Sequence, residues 1–248
     1  MLKTLISFLL IIIPFFGFSQ KLKKIKKEII ENGNTYEEIY YVLKSDKTTK
    51  HGEYIKRTEK KKIIEQGYYN NGQKDSIWTY YNKRYTSQIL SQGSYKMGTK
   101  QGVWSFYGDN DKVVQKFDFT KDTLLYDEGF SNSKESFYNP CIDTAVDVSS
   151  CLLPTPIGGS YIISYLMVQH LNYPPLAVEN GYQGTVKISF TIDENGKGKD
   201  PVVYEKVNDL LDEEALRVVK IILNEVRWYT WGQKKQRKIT MPLKFKLN

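Results

Sequence analysis

Apolar and polar residues alternate with a period of two in two stretches near the end of this chain, and the stretch between them follows a helical period. From Gly184 to Ile192, Val186, Ile188, Phe190 and Ile192 alternate with Lys187, Ser189 and Thr191, the pattern of a half-buried strand. Asp193-Glu194-Asn195-Gly196 supplies a turn. Asn-Gly accepts positive φ at both central positions, which predicts a tight hairpin into a strand over Pro201–Val207. The period then changes. Leu211, Ala215, Val218, Val219, Ile222 and Val226 fall at i, i+4, i+7, i+8, i+11 and i+15, one apolar stripe on a helix. Asn208 and Asp209 can cap it, and Asp212, Glu213 and Glu214 suit the positive end of its dipole. Alternation returns from Lys238 to Leu247, with Ile239, Met241, Leu243, Phe245 and Leu247 on one face and Lys238, Thr240, Pro242, Lys244 and Lys246 on the other. Strand, hairpin, strand, helix, strand predicts a small antiparallel sheet with one face on a helix. Ahead of it, Tyr161–Leu171 reads as a short helix and Tyr173–Gly181 as a helical turn and its stop.

The first half repeats itself. Gln66-Gly67-Tyr68-Tyr69-Asn70-Asn71-Gly72-Gln73 precedes Asp75-Ser76-Ile77-Trp78-Thr79-Tyr80-Tyr81, and Gln92-Gly93-Ser94-Tyr95-Lys96-Met97-Gly98-Thr99 precedes Gln101-Gly102-Val103-Trp104-Ser105-Phe106-Tyr107. The two Trp are separated by 26 residues, as are Gly67 and Gly93, a period that signals a repeat architecture. Each unit reads as two short aromatic strands around an Asn/Gly turn, and the spacing of Gly, Tyr, Gly, Trp and Tyr resembles MORN-type repeats. One hairpin cannot bury its aromatic face alone, so the units must join into one elongated meander. Trp78, Tyr80, Trp104 and Phe106 are then core; exposed tyrosines forming a binding face are the alternative.

The C-terminal residues carry a second resemblance. In order they are Gly158-Gly159, Tyr173-Pro174, Ala177, Gly181, Gly184-Thr185-Val186, Phe190, Asp193, Gly196, Asp212-Glu213-Glu214-Ala215, Trp228, Gly232, Pro242 and Phe245. This stretch resembles the TonB C-terminal domain, in the form common in Bacteroidetes. Two features depart from that pattern. The usual Trp-x-Pro-Gly reads Trp228-Tyr229-Thr230-Trp231-Gly232 without its proline, and the stretch between Gly232 and Pro242 is short. The fold class this implies is α+β: an N-terminal antiparallel meander of MORN-like hairpins, then a TonB-like three-stranded antiparallel sheet packed on helices. The expected division is 1–19 signal peptide, 20–130 repeats, 131–159 linker holding a cysteine pair, and 160–248 TonB-like domain.

The ends and the charge refine this. Lys3, an apolar run from Leu5 to Phe18 and Gly17-Phe18-Ser19 form a secretory leader, with Gln20 as the mature N-terminus. An uncleaved anchor is the alternative, and the lysines from Lys21 to Lys27 fit neither reading comfortably. A leader implies the periplasm, where the only two cysteines, Cys141 and Cys151, are expected to be bonded to each other. The formal charge of +8 favours acidic partners, but the lysines are scattered through strand-like repeats, which argues against nucleic acid. His51 and His170 are far apart and in no metal-ligand spacing. No nucleophile has a base beside it. Neither an enzyme nor a cofactor is expected.

The resemblance implies capture of an extended segment of a TonB-dependent outer-membrane transporter by strand addition. An envelope scaffold whose repeats carry the binding is the competing function, and a homodimer through the C-terminal domain the competing assembly. Pro242 has no N–H, which places its strand at a sheet edge with that position turned outward. Thr240, Pro242, Lys244 and Lys246 are therefore the expected binding edge. By family analogy, His170, Leu171 and Asn172 are expected near the incoming peptide.

Overall fold

The aromatic face that one hairpin cannot cover is covered by adding hairpins side by side. The computed structural model describes residues 21–31, 33–83, 88–128, 153–232 and 234–247. The expected leader, Met1–Ser19, and the expected disulfide partners Cys141 and Cys151 lie outside them. The first nine strands are β1 (Leu22–Glu31), β2 (Asn34–Leu43), β3 (Lys50–Thr58), β4 (Ile63–Asn70), β5 (Gln73–Tyr81), β6 (Ile89–Lys96), β7 (Thr99–Tyr107), β8 (Val113–Asp118) and β9 (Thr123–Asp127). They form one antiparallel sheet in chain order. The hairpin turns of the repeats hold two consecutive residues at positive φ, Asn71-Gly72 and Met97-Gly98, the conformation whose twist matches that of the flanking strands.

The spacing of glycine and tryptophan has a steric cause. The Trp78 and Trp104 rings are fully buried and lie against Gly67 and Gly93 on the preceding strand, where any Cβ would overlap the ring. The register shifts at both glycines. The indole N–H groups donate to Tyr68 O and Asp75 O at 3.0 and 3.1 Å, and to Ser94 O at 3.1 Å. Edge-to-face contacts then run without a break through Tyr54, Tyr69, Trp78, Tyr95, Trp104, Phe119 and Phe117, with centroids 5.0 to 5.9 Å apart. Such pairs contribute beyond their buried area. Cations lie along the same row: Lys50 is 4.7 Å from the Tyr54 ring, Lys74 4.0 Å from Trp78, Lys100 4.3 Å from Trp104 and Arg227 5.3 Å from Phe117.

Arg227 belongs to the second half, which continues the row. Its elements are β10 (Thr155–Pro156), α1 (Gly159–His170), α2 (Pro175–Glu179), β11 (Gly184–Ile192), β12 (Gly198–Glu205), α3 (Asp209–Glu225), β13 (Trp228–Tyr229) and β14 (Arg237–Phe245). β12, β11 and β14 form the expected three-stranded antiparallel sheet, and β10 pairs with β13. The apolar stripe of α3 is buried against Val186, Ile188, Phe190 and Ile192 of β11 and Ile239, Met241, Leu243 and Phe245 of β14. Asn208 caps α3 by accepting from Leu211 N at 3.0 Å.

The stretch 131–159, expected to be a linker, ends in structure. Pro156 O accepts from Gln115 Nε2 at 3.0 Å, and Gly158 N donates to Gln115 Oε1 at 2.6 Å. Gln115, wholly buried on β8, thus holds this backbone with both ends of its amide. Arg227 ion-pairs with Asp122, and Tyr229 packs edge-on against Phe117 at 5.6 Å. The hairpin at 193–196 also differs from expectation. Gly196 alone takes positive φ there, Gly196 N donates to Asp193 O, and β12 begins at Gly198, ahead of Pro201. A wider loop forms in place of the tight two-residue turn: Asp193 Oδ1 accepts from Asn195 N and Lys197 N at 2.9 Å each, and Trp228 packs on it, its N–H donating to Gly196 O at 2.9 Å and its carbonyl filling the space of any Cβ at Gly196.

Two outcomes follow. Gly93→Ala should destabilise the protein by roughly 1–3 kcal/mol, the cost of overpacking a filled core, read by denaturant unfolding, with near-ultraviolet dichroism showing displacement of Trp104. Burial, reinforced by Lys74 and Arg227, pushes the Lys100 ammonium down to about 8 from 10.5. The unfolded chain therefore holds this proton over a range where the folded one has released it. The penalty is complete below pH 8 and vanishes above 10.5, so stability relative to Lys100→Met should rise across that interval, by on the order of 3 kcal/mol.

Candidate functional site

The C-terminal sheet has two edges, and they differ. β12 meets β11 with register shifts at Lys187/Ile188 and at Ser189/Thr191, and Asp200 within it takes positive φ. Bulges of this kind twist an edge away from further pairing. β14 meets β11 in an unbroken antiparallel register from Gly184↔Phe245 to Ile192↔Arg237. No strand pairs with its other side among the described residues. β14 is therefore the regular open edge of this sheet among the described residues.

Burial along β14 alternates strictly. Ile239, Met241, Leu243 and Phe245 are buried, Thr240 and Pro242 are half-buried, and Lys238 and Lys244 are exposed. Pro242 sits opposite Lys187, where the absent N–H removes nothing if that position faces outward. By alternation, Thr240 and Lys244 turn their backbone groups the same way. Lys246 falls beyond the strand, and Leu247 N is tied to Gln183 Oε1 at 3.0 Å.

His170, Leu171 and Asn172 lie where α1 ends, and the backbone of His170 and Asn172 bonds to α3. Asn172 N donates to Glu214 Oε1 at 2.6 Å. His170 O accepts from Arg217 Nη2 at 2.5 Å, and Arg217 makes two further bonds to Glu214 at 2.7 and 2.8 Å. Leu171 N donates to Met167 O, and the His170 ring stands 3.9 Å from Glu225. The link to β14 is the next residue: the Tyr173 ring packs edge-on against Phe245 at 5.6 Å, and its hydroxyl donates to Tyr182 O at 2.5 Å. Tyr173 is thus the residue of this segment that touches β14, while His170 and Asn172 bond to α3.

Sequence reasoning assigned Asp212 and Glu214 to the helix dipole and missed what they hold. Asp212 Oδ1 accepts from Val207 N at 3.0 Å, fixing the entry to α3, while Glu214 fixes the exit from α1. The signal was present as an acid and an arginine three apart on one helical face.

Residues 169–247 match the Gram-negative bacterial TonB protein C-terminal family. The NMR solution structure of the Helicobacter pylori TonB C-terminal domain is similar to this chain at 24% identity, with a TM-score of 0.30, over 35% of this chain and 78% of that one. No curated protein matches the chain. In this TonB-like domain the missing proline after Trp228 has a structural counterpart. Trp228 and Tyr229 pair with β10, and Trp231, at positive φ, donates its indole N–H to Leu153 O at 3.1 Å. The segment that departs from the family pattern packs on Leu153–Pro156, the backbone that Gln115 of the meander holds. The α3 contacts predict that Glu214→Ala will destabilise the protein by roughly 0.5–1.5 kcal/mol, the net worth of a hydrogen bond whose donors return to water, and will speed exchange of the Asn172 amide, measured by NMR.

Proposed function

We propose that this chain is a periplasmic TonB-like protein that captures an extended segment of an outer-membrane transporter along the open side of β14, as part of energy-coupled transport. The observation that carries this reading is the unbroken, outward-facing edge of β14 inside a domain that matches the TonB C-terminal family. An added strand would take its affinity from main-chain hydrogen bonds and its register from the break at Pro242. Lys238 and Lys244 discourage uncontrolled pairing and suit a partner with acidic residues. The domain supplies the binding half of a transducer; coupling to a motor is no part of the proposal.

A second reading has its own observation. On the meander face opposite the Trp row, Ile77 and Val103 occupy equivalent repeat positions and are 62% and 47% exposed. An envelope scaffold whose MORN-like repeats bind a protein would use this face. A second copy of the chain is the competing occupant of β14.

Hydrogen exchange on the full chain with a transporter-plug peptide separates these readings. Protection is expected at the Thr240 and Lys244 amides, with little change at Ile239 and Leu243, which already bond inward. Protection around Ile77 and Val103 alone would favour the scaffold. Protection at Thr240 that grows with protein concentration in the absence of peptide would indicate a homodimer.

A further inference from the structure

The repeats treat their lysines alike until the third. Lys74 ion-pairs with Glu65 and also donates to Tyr80 Oη at 2.9 Å. Lys50 lies 3.3 Å from Glu38. Twenty-six residues beyond Glu65, Lys74 and Tyr80 stand Ser91, Lys100 and Phe106. The ladders confirm the equivalence: Glu65 pairs with Tyr80 as Ser91 pairs with Phe106, and Lys74 with Tyr69 as Lys100 with Tyr95. The third repeat has therefore lost both oxygens that hold the lysine of the second. Lys100 keeps its place against the Trp104 and Phe119 rings, with no carboxylate or hydroxyl partner among the described residues.

The space left is large. A cavity of about 500 Å³ between the meander and α1 is lined by Ser91, Lys100, Tyr95, Phe106 and Tyr165, with Gln169 on the α1 side. Gln169 Nε2 is buried there without an acceptor among the described residues. The other charges on this wall are Lys56, which pairs with Glu31; Glu65, which pairs with Lys74; Glu225, 3.9 Å from the His170 ring; and Lys83, over the Tyr36 ring. Three lysines face two glutamates. Aromatic walls with a few convergent polar groups are the usual make-up of a small-molecule site.

We propose that this cavity binds a small organic carboxylate on a flat, cyclic body, its carboxylate taking the position beside Lys100 that the Glu65 carboxylate takes beside Lys74. The ring faces of Tyr95, Phe106 and Tyr165 receive the body, and Gln169 donates to it. The site is independent of the β14 edge. The desolvated state of the Lys100 ammonium agrees with a group awaiting an anion.

Calorimetric titration of the full chain with benzoate, and in parallel with benzyl alcohol and inorganic phosphate, tests this. Benzoate should bind saturably, one per chain. Ser91→Glu restores the internal carboxylate and should weaken benzoate by ~10- to 100-fold, the equivalent of one charge-assisted hydrogen bond, while leaving the melting temperature unchanged or raised. Lys100→Met should weaken it comparably. No saturable benzoate binding, benzyl alcohol binding as tightly, phosphate binding in preference to benzoate, or undiminished benzoate affinity in a folded Ser91→Glu variant would each overturn the proposal.

Discussion

The structure depends on one buried amide. Gln115 sits in the middle of β8, and its side chain accepts from Gly158 N and donates to Pro156 O. A buried amide left unpaired costs a few kcal/mol, so neither part can move away without exposing it or leaving it unsatisfied. Because Pro156 also pairs with Trp228, the position of Gln115 passes to the strand that follows α3. The TonB-like domain is thereby held against the last strands of the meander. Tyr229 extends the aromatic row by one ring, and Arg227 extends the row of cations.

This docking explains the division of labour between the two sheets. In the meander, each strand is covered by the next, and the TonB-like domain packs on its last strands through Tyr229, Arg227 and the backbone held by Gln115. In the C-terminal sheet, β12 is broken by bulges and β14 is regular. The domain therefore presents one usable edge, in an orientation set by the meander. The same docking creates the cavity beneath α1, where the third repeat departs from the second at Ser91 and Phe106.

Most of the architecture was legible in the sequence because it rests on periods. The alternation in β11 and β14, the stripe of α3 and the recurrence of Gly67 with Trp78 at Gly93 with Trp104 each encode a local geometry that tertiary contacts reinforce. The edge position of β14 was legible for the same reason, through one residue without an N–H. What escaped notice has no period. Gln115 is a polar residue in a strand like several others, and only the fold reveals that its partners lie some forty residues away. The Asn195-Gly196 turn differs because Asp193 closes a wider loop with its own side chain, on which Trp228 packs from beyond α3. The bonds that tie the backbone of His170 and Asn172 to Arg217 and Glu214 join two helices and leave no periodic trace in the sequence.

The central claim is that the two sheets form one body, with β14 left free at a fixed orientation. NMR residual dipolar couplings measured on the full chain address it directly. One alignment tensor should fit the amides of the meander and of β11, β12 and β14 together, and replacing Gln115 by Ala should split that fit in two. Separate tensors for the two sheets in the unaltered protein would contradict the account.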